Sequence, residues 1–166
     1  MKQKTAWTID RKLDNKTVCG VGQVVVNFQQ LEWTIVELIG LLSGNEAEAQ
    51  KKAAKQKFSW LCKELKSLFS EKKMPPTLAK RFDDLMSQMK DVNELRDQVV
   101  HSWWFKDHLG RESRMKFVQR KSAHLDSATI DYESSAQRIS LLSDALEQLV
   151  ADLGSAKVVR RWKLVM

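Results

Sequence analysis

Glycine and proline are scarce in this 166-residue chain, at six and two residues, and tyrosine occurs once. That scarcity excludes a collagen-like, low-complexity or turn-dominated chain. Cysteine is limited to Cys19 and Cys62, which have neither metal-ligand spacing nor the density of a disulfide scaffold, so both are expected as reduced thiols. Long apolar runs are missing as well. Glu32, Glu37 and two Gln interrupt the most hydrophobic stretch short of the roughly 18 residues that a membrane span needs. The opening MKQKTAWTIDRK lacks the apolar region of a signal peptide, so a cytoplasmic location and no membrane partner are expected. His101, His108, His124 and the two cysteines show no zinc spacing. CGVGQVVV has too few glycines and no preceding strand for a nucleotide loop, and no Gly-x-Ser-x-Gly elbow occurs. Neither a metal nor a cofactor is expected.

What the chain does contain is 43% hydrophobic and 30% charged residues, enough for one domain with a sizeable core. Its net charge of +7 is unevenly spread. Met1–Gly20 nets +3 and Lys157–Met166 nets +4, which leaves the interior neutral. A uniformly basic body is therefore excluded, but basic ends are not. Inside, Lys106–Lys121 holds six bases, among them Arg111, Arg114 and Lys116, against Asp107 and Glu112, whereas Asp126–Asp152 holds six acids against Arg138. A positive surface beside the middle of the chain would steer phosphates toward it. The four lysines of KKAAKQK fit a solvated helix face.

Apolar spacing predicts an all-α chain. Val21, Val24, Val25, Phe28, Leu31, Ile35, Leu38, Ile39 and Leu42 recur at helical intervals, and the helix stops at the glycine of SGNE. A second helix carries Ala54, Phe58, Leu61, Leu65, Leu68 and Phe69 after a Glu/Ala/Lys-rich start. Pro75 and Pro76 end it, and Thr77 can cap the next. The third carries Leu78, Phe82, Leu85, Met89, Val92, Val99 and Trp103. The fourth, within Ser127–Leu153, carries Ile139, Leu142, Leu146, Leu149 and Leu153, with Gly154 as C-cap. Between them the period shifts to two: Trp103 and Phe105, a turn at KDHLGRE, then Met115 and Phe117 read as a short β-hairpin. The expected architecture is a four-helix bundle with a hairpin between the third and fourth helices. It divides as a basic extension over 1–20, the bundle over 21–153 and a basic tail over 154–166, with Trp7 and Trp162 anchoring the ends.

One residue breaks the third stripe. Arg96 stands where Leu or Met would be expected, and a guanidinium in a core must meet a carboxylate, an anion or a solvent-filled cleft. The first helix has a matching anomaly in Glu32, on the face of Phe28, Leu31, Ile35 and Ile39, so the two are expected to face each other across the bundle. Arg96 opens RDQVVHSWW, and Asn93, Asp97 and His101 stand at intervals of four along one helix side. Asp97 can hydrogen-bond a ring nitrogen of His101 and fix its tautomer, a common way to prepare an acid or base near neutral pH. Arg96 adds a fork suited to phosphate. Arg96 and His101 lie about 140° apart around an ideal helix, so they meet only through a bend, for example a fresh segment capped by Asn93, through a curled Arg96, or through a second subunit.

RDQVVH resembles the signature of HEPN domains, an Arg followed by a polar residue and then by His. The all-α bundle, LEW in an early helix and the HSWW exit into a hairpin fit that likeness over 21–153. The resemblance implies a HEPN-type bundle acting as a metal-independent endoribonuclease, usually a homodimer, in a toxin or phage-defence role with a possible antitoxin or other regulatory protein. His101 would then move protons, Arg96 would stabilise the phosphate and Asp97 would orient. Asn93 and Ser102 would add hydrogen bonds, and Trp104 is the better candidate to stack a base. Arg111, Arg114 and Lys116 would contact RNA. Toxin members paired with a nucleotidyltransferase antitoxin often carry Tyr two residues after the His; this chain has Trp103 there, which removes that point of control. The alternative is an inactive HEPN-like module that binds a protein or nucleotide.

Overall fold

A computed structural model describes residues 13–72, 74–106, 112–118, 122–126 and 131–155. Arg111 and the basic residues of 1–12 and 157–166 lie outside these, as do the side chains of Trp103, Arg114 and Lys116. Among the described residues the chain forms five helices and three strands: α1 (Asn15–Ser43), α2 (Glu46–Ala53), α3 (Phe58–Ser70), α4 (Pro76–Val100), β1 (Ser102–Lys106), β2 (Glu112–Val118), β3 (Ser122–Asp126) and α5 (Tyr132–Ser155). No helix among them is long and apolar enough to cross a membrane.

Helix α1 is the axis of the bundle, about 43 Å long at helical rise, and it packs against the other four helices. Val24, Phe28, Leu31, Ile35, Leu38, Ile39 and Leu42 form its buried stripe. It ends where Gly44 takes a left-handed conformation (φ 73°) and donates its N–H to Gly40 O, a C-cap that glycine adopts without Cβ strain. Its start departs from the expectation. The helix begins at Asn15, inside the segment assigned to a basic extension, and Thr17 is already buried.

The expected second helix is two. Residues 46–52 bring little apolar surface beyond Ala49 to the core, so α2 crosses the end of α1, where a Cβ on Gly40 would lie 3.2 Å from Glu46 Cα. Its acids lie in the first turn and Lys51 and Lys52 in the last, the order a helix dipole favours. The chain turns at 54–57, and α3 then buries Phe58, Leu61, Leu65 and Phe69.

In α4, Pro76 occupies the first helical turn after an extended Pro75, where its missing N–H costs nothing. Thr77 is thus inside the helix and does not cap it. The helix runs unbroken through Asn93, so no fresh segment starts there. In α5, Asp131 is the cap: its Oδ1 accepts from Ser134 N at 3.0 Å. This helix continues through Gly154 to Ser155, so Gly154 is not its terminator.

The expected two-stranded hairpin is replaced by a three-stranded antiparallel sheet of order β1-β2-β3. Trp103 pairs with Met115 and Met115 with Leu125, so β2 is the middle strand. The short SAHLD segment carries too little alternation for its strand to be read in advance.

The core lies between α1, α3, α4 and α5, with the Phe69 and Phe82 rings stacked at 3.7 Å. The buried hydroxyls of Thr34 and Ser143 satisfy each other at 3.0 Å between α1 and α5.

Candidate functional site

The last two turns of α4 gather the polar residues singled out in the sequence. Arg96 sits on the stripe of Val92 and Val99 but is only half-buried, with 31% of its side chain exposed. Its guanidinium lies 5.2 Å above the centre of the Phe28 ring of α1, a cation–π arrangement that accommodates a charge beside apolar packing. Arg96 Nη1 donates to Asp97 Oδ1 at 2.9 Å. The same carboxylate oxygen lies 3.8 Å from His101 Nε2. Asp97 therefore stands between the guanidinium and the imidazole within a single protomer. The arginine side chain reaches the Asp97 carboxylate that lies between the two, on a helix that runs unbroken through this segment.

His101 is the C-cap of α4. Its backbone has left the helical region (φ −99°, ψ 16°), while its N–H still bonds Asp97 O at 3.2 Å. The imidazole is 62% exposed and thus open to an incoming molecule. Asn93 is half-buried one turn before Asp97 on the same helix side.

Glu32 forms no ion pair with Arg96, whose guanidinium is bonded to its neighbour Asp97. It is nonetheless close enough to feel Arg96. Burial raises the Glu32 carboxyl above its ordinary value of 4.5, and the arginine charge opposes that rise. Beside it, burial and the Glu32 charge push the Cys62 thiol up to about 11, and Cys62 Sγ faces Met89 Sδ at 4.0 Å. Glu32 is thus a partly buried neighbour of the arginine.

Two candidates are committed to the fold. The Ser102 hydroxyl donates to Gln98 O, tying β1 to α4. Trp104 Nε1 donates to Val99 O at 3.0 Å, and its ring packs on Tyr132 at 5.7 Å with a 57° tilt. Trp104 therefore joins α4, β1 and the start of α5. Tyr132 and Phe28 were not anticipated as site neighbours. The signal for Tyr132 was Gly20, a small residue in the first helix against which an aromatic ring can lie; Phe28 had been read only as core.

Among the described residues no group of three or more His, Cys, Asp or Glu is placed to hold a metal ion. Comparison of the chain with protein-family models, with curated proteins and with solved structures finds no match.

Proposed function

We propose that the chain is a HEPN-type endoribonuclease that acts without a metal, with Arg96, Asp97 and His101 at its site and a homodimer as its working form. The observation that carries this reading is Asp97 Oδ1, which accepts from the Arg96 guanidinium and lies 3.8 Å from an exposed imidazole at the same helix end. RNA brings its own nucleophile, so such a site needs only proton transfer, orientation and charge stabilisation. The 2′-hydroxyl gives its proton to an imidazole and attacks the adjacent phosphorus. The bond to the 5′-oxygen breaks, that oxygen takes up a proton, and the products are a 2′,3′-cyclic phosphate and a 5′-hydroxyl. Arg96, exchanging Asp97 for the phosphate, stabilises the charge on the non-bridging oxygens. A second His101 across a two-fold axis supplies the acid for the leaving oxygen. The basic residues Arg111, Arg114 and Lys116 would hold the RNA backbone, and a toxin or phage-defence role with a regulatory partner fits the resemblance.

The test is incubation of the purified protein with total RNA in EDTA, alongside His101→Ala. The wild type is expected to degrade the RNA. The variant is expected to lose about 100-fold or more in rate while melting close to the parent, because an exposed imidazole contributes little to packing. An intact fold that cuts no RNA would overturn the enzyme and leave the HEPN-like binding module.

A further inference from the structure

Five lysines and no acid fall within residues 49–63: Lys51, Lys52, Lys55, Lys57 and Lys63. The fold does not line them up on one helix face. Lys51 and Lys52 end α2, Lys55 lies in the turn at 54–57, Lys57 immediately precedes α3 and Lys63 stands on its second turn. All five are exposed, so the corner between α2 and α3 presents charge of a single sign.

Part of that charge has an architectural use. Lys51 and Lys52 complement the C-terminal end of the α2 dipole, and Lys52 Nζ also lies 3.8 Å from Glu64 and 5.2 Å from the centre of the Trp60 ring. Lys55, Lys57 and Lys63 have no such use: no carboxylate of the described residues pairs with them. Uncompensated like charges repel one another, so the corner is destabilising until an outside anion meets it.

The place of the corner in the fold says which anion. The Phe58 ring, next in sequence to Lys57, packs on Phe28 at 4.8 Å between centres, and the same Phe28 ring lies 5.2 Å beneath the Arg96 guanidinium. A single phenylalanine therefore joins the base of the corner to the arginine that meets phosphate in the proposed function. An anionic membrane is disfavoured, because such a surface needs apolar side chains that insert beside the lysines. The exposed large apolar side chains of the described residues lie on α1, α4 and α5, none of them on the corner.

We propose that the α2–α3 corner binds the backbone of single-stranded RNA and holds the phosphates that flank the one at Arg96. Its part in cleavage rests on the ribonuclease reading; the binding itself does not. Lysine ammoniums meet phosphates as point charges and read no base edge, so the contact is independent of sequence.

The test uses the full chain and a fluorescent 2′-O-methyl RNA strand, which has no free 2′-hydroxyl to attack its own backbone, with binding read by anisotropy across a salt series. Lys55→Gln/Lys57→Gln is expected to bind about tenfold more weakly than the parent at low salt, and its log–log salt slope to fall by about 0.7 per lysine removed, alike on uridine-rich and adenosine-rich strands. Lys55→Arg/Lys57→Arg keeps the charge and is expected to bind as the parent does. Lys80→Gln/Lys90→Gln removes the same charge from exposed positions of α4 and is expected to leave affinity and slope close to the parent values. Unchanged binding in the corner pair, or an equal loss in both glutamine pairs, would overturn the proposal. So would a corner that binds phosphatidylserine vesicles but not the strand. Corner-dependent binding with no cleavage of all-ribose RNA in EDTA would end the nuclease reading and keep the corner. Cleavage in EDTA with the corner pair binding as the parent does would do the reverse.

Discussion

Helix α4 carries two half-buried arginines that are used in opposite ways. Arg81, near its start, reaches across to α5: Nη1 bonds Asp152 Oδ2 at 2.5 Å and Nη2 bonds Ala145 O at 3.3 Å. Arg96, fifteen residues on in the sequence, bonds only the adjacent Asp97 among the described residues and rests on Phe28. A pair between distant residues fixes how two helices lie. A pair between neighbours on one helix fixes nothing beyond itself, and it can be exchanged for another anion without moving the fold. The same residue type thus serves architecture at one end of the helix and, in the proposed function, chemistry at the other.

That contrast is broken or sharpened by substitution. The largest effect is expected for Arg96→Ala in RNA cleavage, a loss of about 100- to 1,000-fold from the missing charge at the phosphate, with Arg81→Ala close to the parent rate. Stability should rank the other way. Arg81→Ala removes a cross-helix ion pair and a bond to a helix carbonyl, and denaturant titration is expected to show a loss of about 1 kcal/mol, with a smaller change for Arg96→Ala. If Arg81→Ala abolished cleavage while Arg96→Ala only lowered stability, the division of labour would be reversed.

The smallest effect concerns Glu32. Its folded pKa is raised by burial, so its favourable contribution is present below the unfolded value near 4.5 and is lost as pH rises through the folded value. Glu32→Gln keeps the neutral form at all pH. It should therefore melt slightly above the parent at pH 7, and the difference should vanish as pH falls to about 4. A variant that melts lower at pH 7 than the parent would show that the arginine charge outweighs burial.

The stripes that bury the bundle were legible because apolar side chains at three- and four-residue intervals have one way to leave water. Phe82, Leu85, Met89, Val92 and Val99 of α4 and Ile139, Leu142, Leu146, Leu149 and Leu153 of α5 are buried as their spacing implied. Boundaries were less legible. The turn at 54–57 contains neither Gly nor Pro, so only the geometry of crossing α1 reveals it. The start of α1 was hidden because Gly20 and Gly22 interrupt the pattern; Gly20 is there for Tyr132, which is 112 residues away in the sequence and invisible to local reading. At the site, the anomaly of Arg96 and the alignment of Asp97 with His101 were readable from spacing. The partner of the guanidinium was not, since adjacent residues on a helix point about 100° apart and only the length of the arginine closes that gap.

In the proposed function, RNA is cut through its own 2′-hydroxyl by the Arg96–Asp97–His101 cluster. The most direct measurement uses an RNA oligonucleotide cleaved in EDTA and the same oligonucleotide with a single 2′-deoxy sugar at the cut position. The all-ribose strand is expected to yield a 2′,3′-cyclic phosphate and a 5′-hydroxyl, and the deoxy strand to resist at that position. Equal cutting of both strands, or a 5′-phosphate on the product, would contradict the account.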